Sequence, residues 1–288
     1  MIKSIHDYEN ILQILNSQYN INGISMELHR TSGAKVYYIK CPDEKVVLKL
    51  YRSIHTQDAL QTVEIIDYLS RNGYPAVTII PTINNKLNMM LDIQGERDCV
   101  GILYKFMEGT TSFELWDVSK EGALNIHPCL EDLGGYIGRL HRLMDSYEGH
   151  LLLRGKDYYI DRFISLLRRD RYNEERTTEL ERYGEELWTS IQKLPSGFCH
   201  GDLHAGNMIR TSNTGYIILD WDMSAYSHSA IDVSRMCDAT DLMCSSKDHM
   251  TIQHVCLRRF IKGTVKKDVL AQMKYPRSMI LYRFCTMT

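Results

Sequence analysis

The sequence predicts an α+β chain of two lobes: a small, mostly β N-terminal lobe with one main helix, then a larger, mostly helical C-terminal lobe. Three observations predict it. β-Branched and aromatic runs alternate with turn signals over 23–91, apolar residues recur at three and four from Ser112 onward, and 288 residues suffice for about two cores. The expected boundaries are 1–104 for the first lobe, 105–109 for a connector and 110–288 for the second lobe.

An amphipathic helix opens the chain at about 5–16. Strands are expected at 23–30, 35–40 and 45–52, separated by the turn signals Thr31-Ser32-Gly33-Ala34 and Cys41-Pro42-Asp43-Glu44. Thr56–Arg71 reads as the main helix, with Leu60, Val63, Ile66 and Leu69 in steps of three and a stop at Asn72-Gly73 before Pro75. Further strands are expected near 77–80 and 86–91, flanking a turn at Asn84-Asn85, and near 99–106. Helical spacing then covers His127–Met144, Tyr158–Arg169 and Glu174–Lys193. A hairpin over 207–222, turning at Thr214-Gly215, interrupts the helices, which resume to the end.

Composition narrows the classes. With 34 Lys+Arg against 36 Asp+Glu, the net charge of −2 supplies no bulk attraction to nucleic acid or membrane, and neither is an expected partner. At 44% hydrophobic and 24% charged the chain is neither disordered nor collagen-like. Eight scattered cysteines without a CxxC pair fit reduced thiols. His6, Asp7, Glu9 and Asn10 interrupt the N-terminal apolar residues, and no segment approaches the ~20 apolar residues of a membrane helix, so a cytoplasmic protein is expected. Arg168-Arg169-Asp170-Arg171 and Lys266-Lys267 read as solvated helix ends.

The chemistry concentrates in Cys199-His200-Gly201-Asp202-Leu203-His204-Ala205-Gly206-Asn207-Met208 and in Leu219-Asp220-Trp221-Asp222. Asn207 and Asp220 fall at the two sides of the hairpin mouth, a carboxamide and a carboxylate suited to Mg²⁺. Asp202 is then available to accept a proton from an attacking hydroxyl. His200 and His204 are four apart, as in H-E-x-x-H, but the glutamate is missing and Gly206 disfavours a helix. Cys199 beside His200 on an extended segment would point away from it, which argues against a thiol nucleophile.

These residues resemble the aminoglycoside phosphotransferase and choline kinase-like family, relatives of the protein kinases. The pattern H-G-D-x-x-x-x-N followed by I-D-[FW]-[DE] is similar to His200-Gly201-Asp202…Asn207 and Leu219-Asp220-Trp221-Asp222. Val47–Tyr51, Tyr104–Gly109 and Leu133–His141 match in the family's order, covering about 23–241. The resemblance implies a bilobal protein-kinase-like fold, with 1–104 the nucleotide-binding lobe and 105–109 a hinge.

The resemblance also implies roles. Asp202 would be the catalytic base, Asn207 and Asp220 the Mg²⁺ ligands, and ATP or GTP the co-substrate. Lys49 would meet the nucleotide phosphates, with Val47 and Tyr51 on its face of the strand by period-two alternation. Glu64 is the expected partner of Lys49, although Asp58 and Asp67 share the helix. At the hinge, the Lys105 carbonyl and Met107 amide would meet the base. Ser32 and Gly33 occupy the phosphate-covering turn, which has a single glycine and reads equally as an ordinary hairpin.

Departures from protein kinases disfavour a protein substrate. Gly201 replaces the arginine of H-R-D, His204 stands at a lysine position, Asp222 replaces the DFG glycine, and no A-P-E follows. The expected acceptor is a small-molecule hydroxyl, on an aminoglycoside, choline or a related metabolite. Asp222, Asp232 and Asp238, with Trp221 as an aromatic wall, are candidate contacts for a cationic acceptor, and Asp232 alternatively caps the next helix. A catalytically silent member that binds nucleotide or a protein partner is the alternative.

Overall fold

The computed structural model describes residues 5–93, 96–111, 127–211 and 215–237. The fold is α+β and falls into two compact units. One takes the chain up to Gly109 together with Thr211–Asp222; the other takes Thr110–Arg210 and the chain from Met223 onward. Asp220 and Asp222 therefore group with the N-terminal sheet.

In the first unit, α1 (Ile5–Gln18) packs on an antiparallel sheet of β1 (Ser25–Ser32), β2 (Ala34–Lys40), β3 (Lys45–Tyr51), β4 (Met89–Ile93) and β5 (Glu96–Lys105), ordered β1-β2-β3-β5-β4. Alternation divides the two faces. Tyr37, Ile39, Val46, Leu48 and Leu103 join Ile11 and Leu15 of α1 in one core, so Val47, Lys49 and Tyr51 leave β3 on the other face. Helix α2 (Thr56–Arg71) buries Ala59, Thr62, Val63, Ile66 and Leu69, whereas the expected core residue Leu60 is exposed. It ends where expected. Gly73 takes φ +68 and donates to Ser70, while Tyr74 donates to Leu69, a Schellman closure.

The strand expected near 77–80 does not form. Pro75 and Pro81 lack N–H groups at both ends of that segment, which pairs only through isolated bridges, Ala76 with Ile218 and Ile79 with Tyr104. The next strand, β4, begins at Met89 because Thr82 is tied to Asn85 and Lys86 in a turn.

The second unit contains β6 (Thr110–Thr111), α3 (His127–Met144), α4 (Arg162–Arg169), α5 (Glu174–Ile191), β7 (Ser196–Cys199), β8 (Met208–Thr211), β10 (Ala225–His228) and α6 (Ala230–Cys237); β9 (Gly215–Ile218) belongs to the first. Asn173 caps α5 by accepting from the Arg176 amide. The helix expected from Tyr158 starts as a π-helical turn, Asp157–Asp161, before α4. Arg168 and Arg169 pair with Glu174, Glu181 and Asp170 at exposed helix ends. An antiparallel ribbon of β7 and β10 pairs Cys199 with Ala225 and Ser196 with His228, which the sequence reading did not anticipate. Among the described residues no helix is long and apolar enough to cross a membrane. Asp238 and Lys266-Lys267 lie outside the described residues.

Leu48 is fully buried under α1. Leu48→Ala should destabilise the fold by roughly 2–5 kcal/mol, from lost burial plus a cavity. A lowered midpoint in urea unfolding checks this.

Candidate active site

In the first unit a single ammonium sits between two carboxylates. Lys49 Nζ lies 2.6 Å from Asp220 Oδ1 and 2.7 Å from Asp222 Oδ2. The Tyr51 hydroxyl donates to Asp222 Oδ1 at 2.6 Å, and the Lys49 amine lies 5.2 Å from the Tyr51 ring centroid. Burial alone would lower the pKa of Lys49, but Asp222 and Asp220 outweigh it and raise it. Asp222 is pushed up by burial and, against the pull of Lys49, by the adjacent Asp220 charge. Both shifts run upward, and one arrangement contributes to each: two carboxylates share one cation, so the ammonium is held firmly and one negative charge is in surplus. Asp220 carries φ 59, a left-handed conformation that costs a non-glycine residue about 1–2 kcal/mol. Such strain is a recurrent mark of functional positions.

In the second unit the loop after β7 is built on Asp232. That side chain is fully buried. Its Oδ2 accepts from the His200 amide at 2.8 Å and faces His141 Nε2 at 2.9 Å, while Oδ1 accepts from the Gly201 amide at 2.8 Å. Burial raises its pKa, yet His141 first, with His200 and the Gly201 amide, holds it below the usual carboxylate value. Gly201 takes φ +81, and a Cβ there would collide with the Met223 carbonyl oxygen. The arginine of H-R-D therefore cannot stand at this position.

The anchored loop presents Asp202 and Asn207. Asn207 Nδ2 donates to both the backbone oxygen and Oδ2 of Asp202, each at 2.9 Å. Both amide hydrogens are thereby used, which assigns the amide orientation and directs Oδ1 away from Asp202. His204 Nδ1 accepts from the Gly206 amide at 3.0 Å, and its Nε2 faces Asp202 Oδ2 at 3.6 Å. Burial raises the pKa of Asp202, but His204, Arg235 and His200 outweigh it and lower it, so the carboxylate is ionised at neutral pH and able to take a proton.

Several expected site residues sit elsewhere. Glu64 is exposed on α2, and the carboxylates on Lys49 are those of Asp220 and Asp222 instead. Asp232 is no acceptor contact, because it is buried and both its oxygens hold the loop. Trp221 is 1% exposed with its indole N–H on the Ile218 carbonyl, so it is core and not an aromatic wall. Asp222 is occupied by Lys49 and Tyr51. Gly33 takes φ +65 at an exposed turn with open space around it. Lys105 ends β5 with its amide on Thr78, and Met107 follows half-buried. Cys199 is buried, and burial raises its thiol pKa well above the ordinary value, which removes it as a nucleophile.

The sequence reading missed His141 and Tyr51 as functional residues. Each carried a signal: His141 lies in a matched segment, and Tyr51 shares the Lys49 face of β3.

The donors fit a divalent cation. Asp220 and Asp222 leave negative charge beyond what Lys49 neutralises, and Asp220 is 34% exposed at its side chain. Among the described residues no three His, Cys, Asp or Glu form a cluster able to enclose a metal.

The sequence matches the family described as "Phosphotransferase enzyme family" over residues 28–251. Similar solved structures include amicoumacin kinase hAmiN in complex with AMP-PNP, Ca²⁺ and Ami, at 19% identity and a TM-score of 0.72, covering 92% of this chain and 80% of that one. Spectinomycin phosphotransferase APH(9)-Ia with ADP and spectinomycin is 14% identical with a TM-score of 0.62, covering 91% and 80%. A microcompartment-associated aminopropanol kinase is 13% identical with a TM-score of 0.59, covering 97% and 86%. At these identities the likeness is one of fold. No curated protein sequence matches the chain.

Asp232→Ala leaves two buried amides unpaired and should cost roughly 3–5 kcal/mol, read by thermal or urea unfolding. Because the folded pKa of Asp232 is depressed, its stabilisation is complete above the unfolded value of about 3.9 and is lost as pH falls through the lower folded value. Acid unfolding of Asp232→Asn, measured by circular dichroism, should lack this component. Gly201→Ala should misplace the loop and reduce turnover at least tenfold, a loss of about 1.4 kcal/mol in transition-state stabilisation.

Proposed function

Because the chain belongs to the phosphotransferase enzyme family, we propose that it transfers the γ-phosphoryl group of ATP or GTP to a hydroxyl of a small molecule. The observation that carries this reading is Asp202, an ionised carboxylate held by Asn207 on a loop anchored through buried Asp232. Asp202 orients the acceptor and takes the proton of its hydroxyl as the oxygen bonds to the γ-phosphorus. The bond from that phosphorus to the β–γ bridging oxygen breaks, and the nucleoside diphosphate leaves with the electron pair.

Lys49 steadies the phosphates, covered by the Ser32-Gly33 turn, and the base meets backbone at Lys105 and Met107. Asp220 and Asn207 would hold a Mg²⁺ ion, which would neutralise charge developing on the transferring group. The lowered Asp202 pKa supports a base that is ready at neutral pH, because a carboxylate must be unprotonated to accept the hydroxyl proton.

The acceptor is an alcohol, and amino alcohols are the first class to test, since one structure of this fold is an aminopropanol kinase and others bind antibiotics. The proposed acceptors include aminoglycosides and choline. Support from an acidic wall is smaller than the sequence suggested, because Asp232 and Asp222 are committed internally.

Calorimetry with Mg·ATP and Mg·GTP, followed by phosphate-transfer assays over aminoglycosides, choline, ethanolamine and aminopropanol, tests the reading. Asp202→Ala should leave nucleotide affinity within about twofold and lower turnover by roughly 10²–10⁴-fold. Transfer persisting undiminished in that variant would remove Asp202 from the role of base.

A further inference from the structure

The two carboxylates on Lys49 are not equivalent. Asp222 is the better enclosed, 22% exposed at its side chain against 34% for Asp220. Its two oxygens are divided between two residues of one strand: Oδ2 meets the Lys49 amine at 2.7 Å and Oδ1 accepts from the Tyr51 hydroxyl at 2.6 Å. Lys49 and Tyr51 are two apart on β3, so they leave the same face and grip one carboxylate from adjacent positions. Tyr51 is 1% exposed, so its hydroxyl meets Asp222 away from solvent. Glu64, in contrast, points to solvent from α2.

A lysine side chain has many rotamers to lose, so an amine that must meet phosphates benefits from a fixed counter-ion. A solvated helix carboxylate would itself have to be ordered. Asp222 is already ordered, because buried Tyr51 closes its remaining oxygen. This also accounts for an aspartate where the DFG pattern has glycine: a glycine there could not pair with the lysine.

We propose that Asp222, locked by Tyr51, is the anchor that positions Lys49 in this chain, in place of a carboxylate on α2. What Lys49 is positioned for rests on the phosphotransferase reading; the anchoring itself does not. Tyr51 is thus a positioning residue, acting through Asp222.

Two measurements on Tyr51→Phe, Asp222→Asn and Glu64→Gln test the assignment. The first is the ¹H–¹⁵N signal of the Lys49 ammonium, which survives only while the amine is held in an ion pair. It should persist in the wild type and in Glu64→Gln, weaken in Tyr51→Phe and vanish in Asp222→Asn. The second is calorimetry with Mg·ATP, in which Tyr51→Phe should weaken affinity about tenfold, as expected for one lost hydrogen bond to a charged group. Tyr51→Phe keeps the ring and decides the matter if Asp222→Asn does not fold. Loss of the ammonium signal in Glu64→Gln, or its full retention in Tyr51→Phe, would overturn the anchor. A wild type that binds no nucleotide would instead defeat the phosphotransferase reading, with the ammonium signal still judging the anchor.

Discussion

A charge taken out of water must be paired, and in the first unit that requirement falls on Lys49. Its partners, Asp220 and Asp222, lie 171 and 173 residues further along the chain. Pairing them with a β3 lysine draws the whole segment Thr211–Asp222 into the N-terminal unit. Trp221 then becomes core rather than surface, and Asp220 takes a left-handed backbone to turn its carboxylate toward the amine. One electrostatic demand thus organises strand, turn and core.

The second unit meets a comparable demand with the opposite charge. Asp232 is a fully buried carboxylate whose partners are two backbone amides and an imidazole. Spending a buried charge on amides fixes the path of residues 200–202 more tightly than side-chain packing could, because both oxygens define directions. The same path brings the Met223 carbonyl against Gly201, so the glycine is a steric necessity as well as a departure from protein kinases. Asp202 inherits its placement from this framework, and Asn207 completes it by donating twice to one residue.

Much of this was legible in the residues themselves. Period-two alternation set Lys49 and Tyr51 on one face of β3, three- and four-residue spacing located α2, α3 and α5, and Asn72-Gly73 marked where α2 stops. These depend on φ, ψ and near neighbours, which a linear string records. The order of His200, Asp202, Asn207 and Asp220 likewise pointed to phosphoryl transfer before any contact was known.

Tertiary structure decided the partnerships. Glu64, Asp220 and Asp222 are all carboxylates, and only the approach of chain segments and the desolvation that follows determine which reach the Lys49 amine. Asp232 could cap a helix, meet a ligand or brace a loop; full burial beside two amides selects the last. The β7–β10 ribbon escaped notice because four-residue strands carry too short a period to register, and they form only where a distant partner supplies the other half of each hydrogen bond.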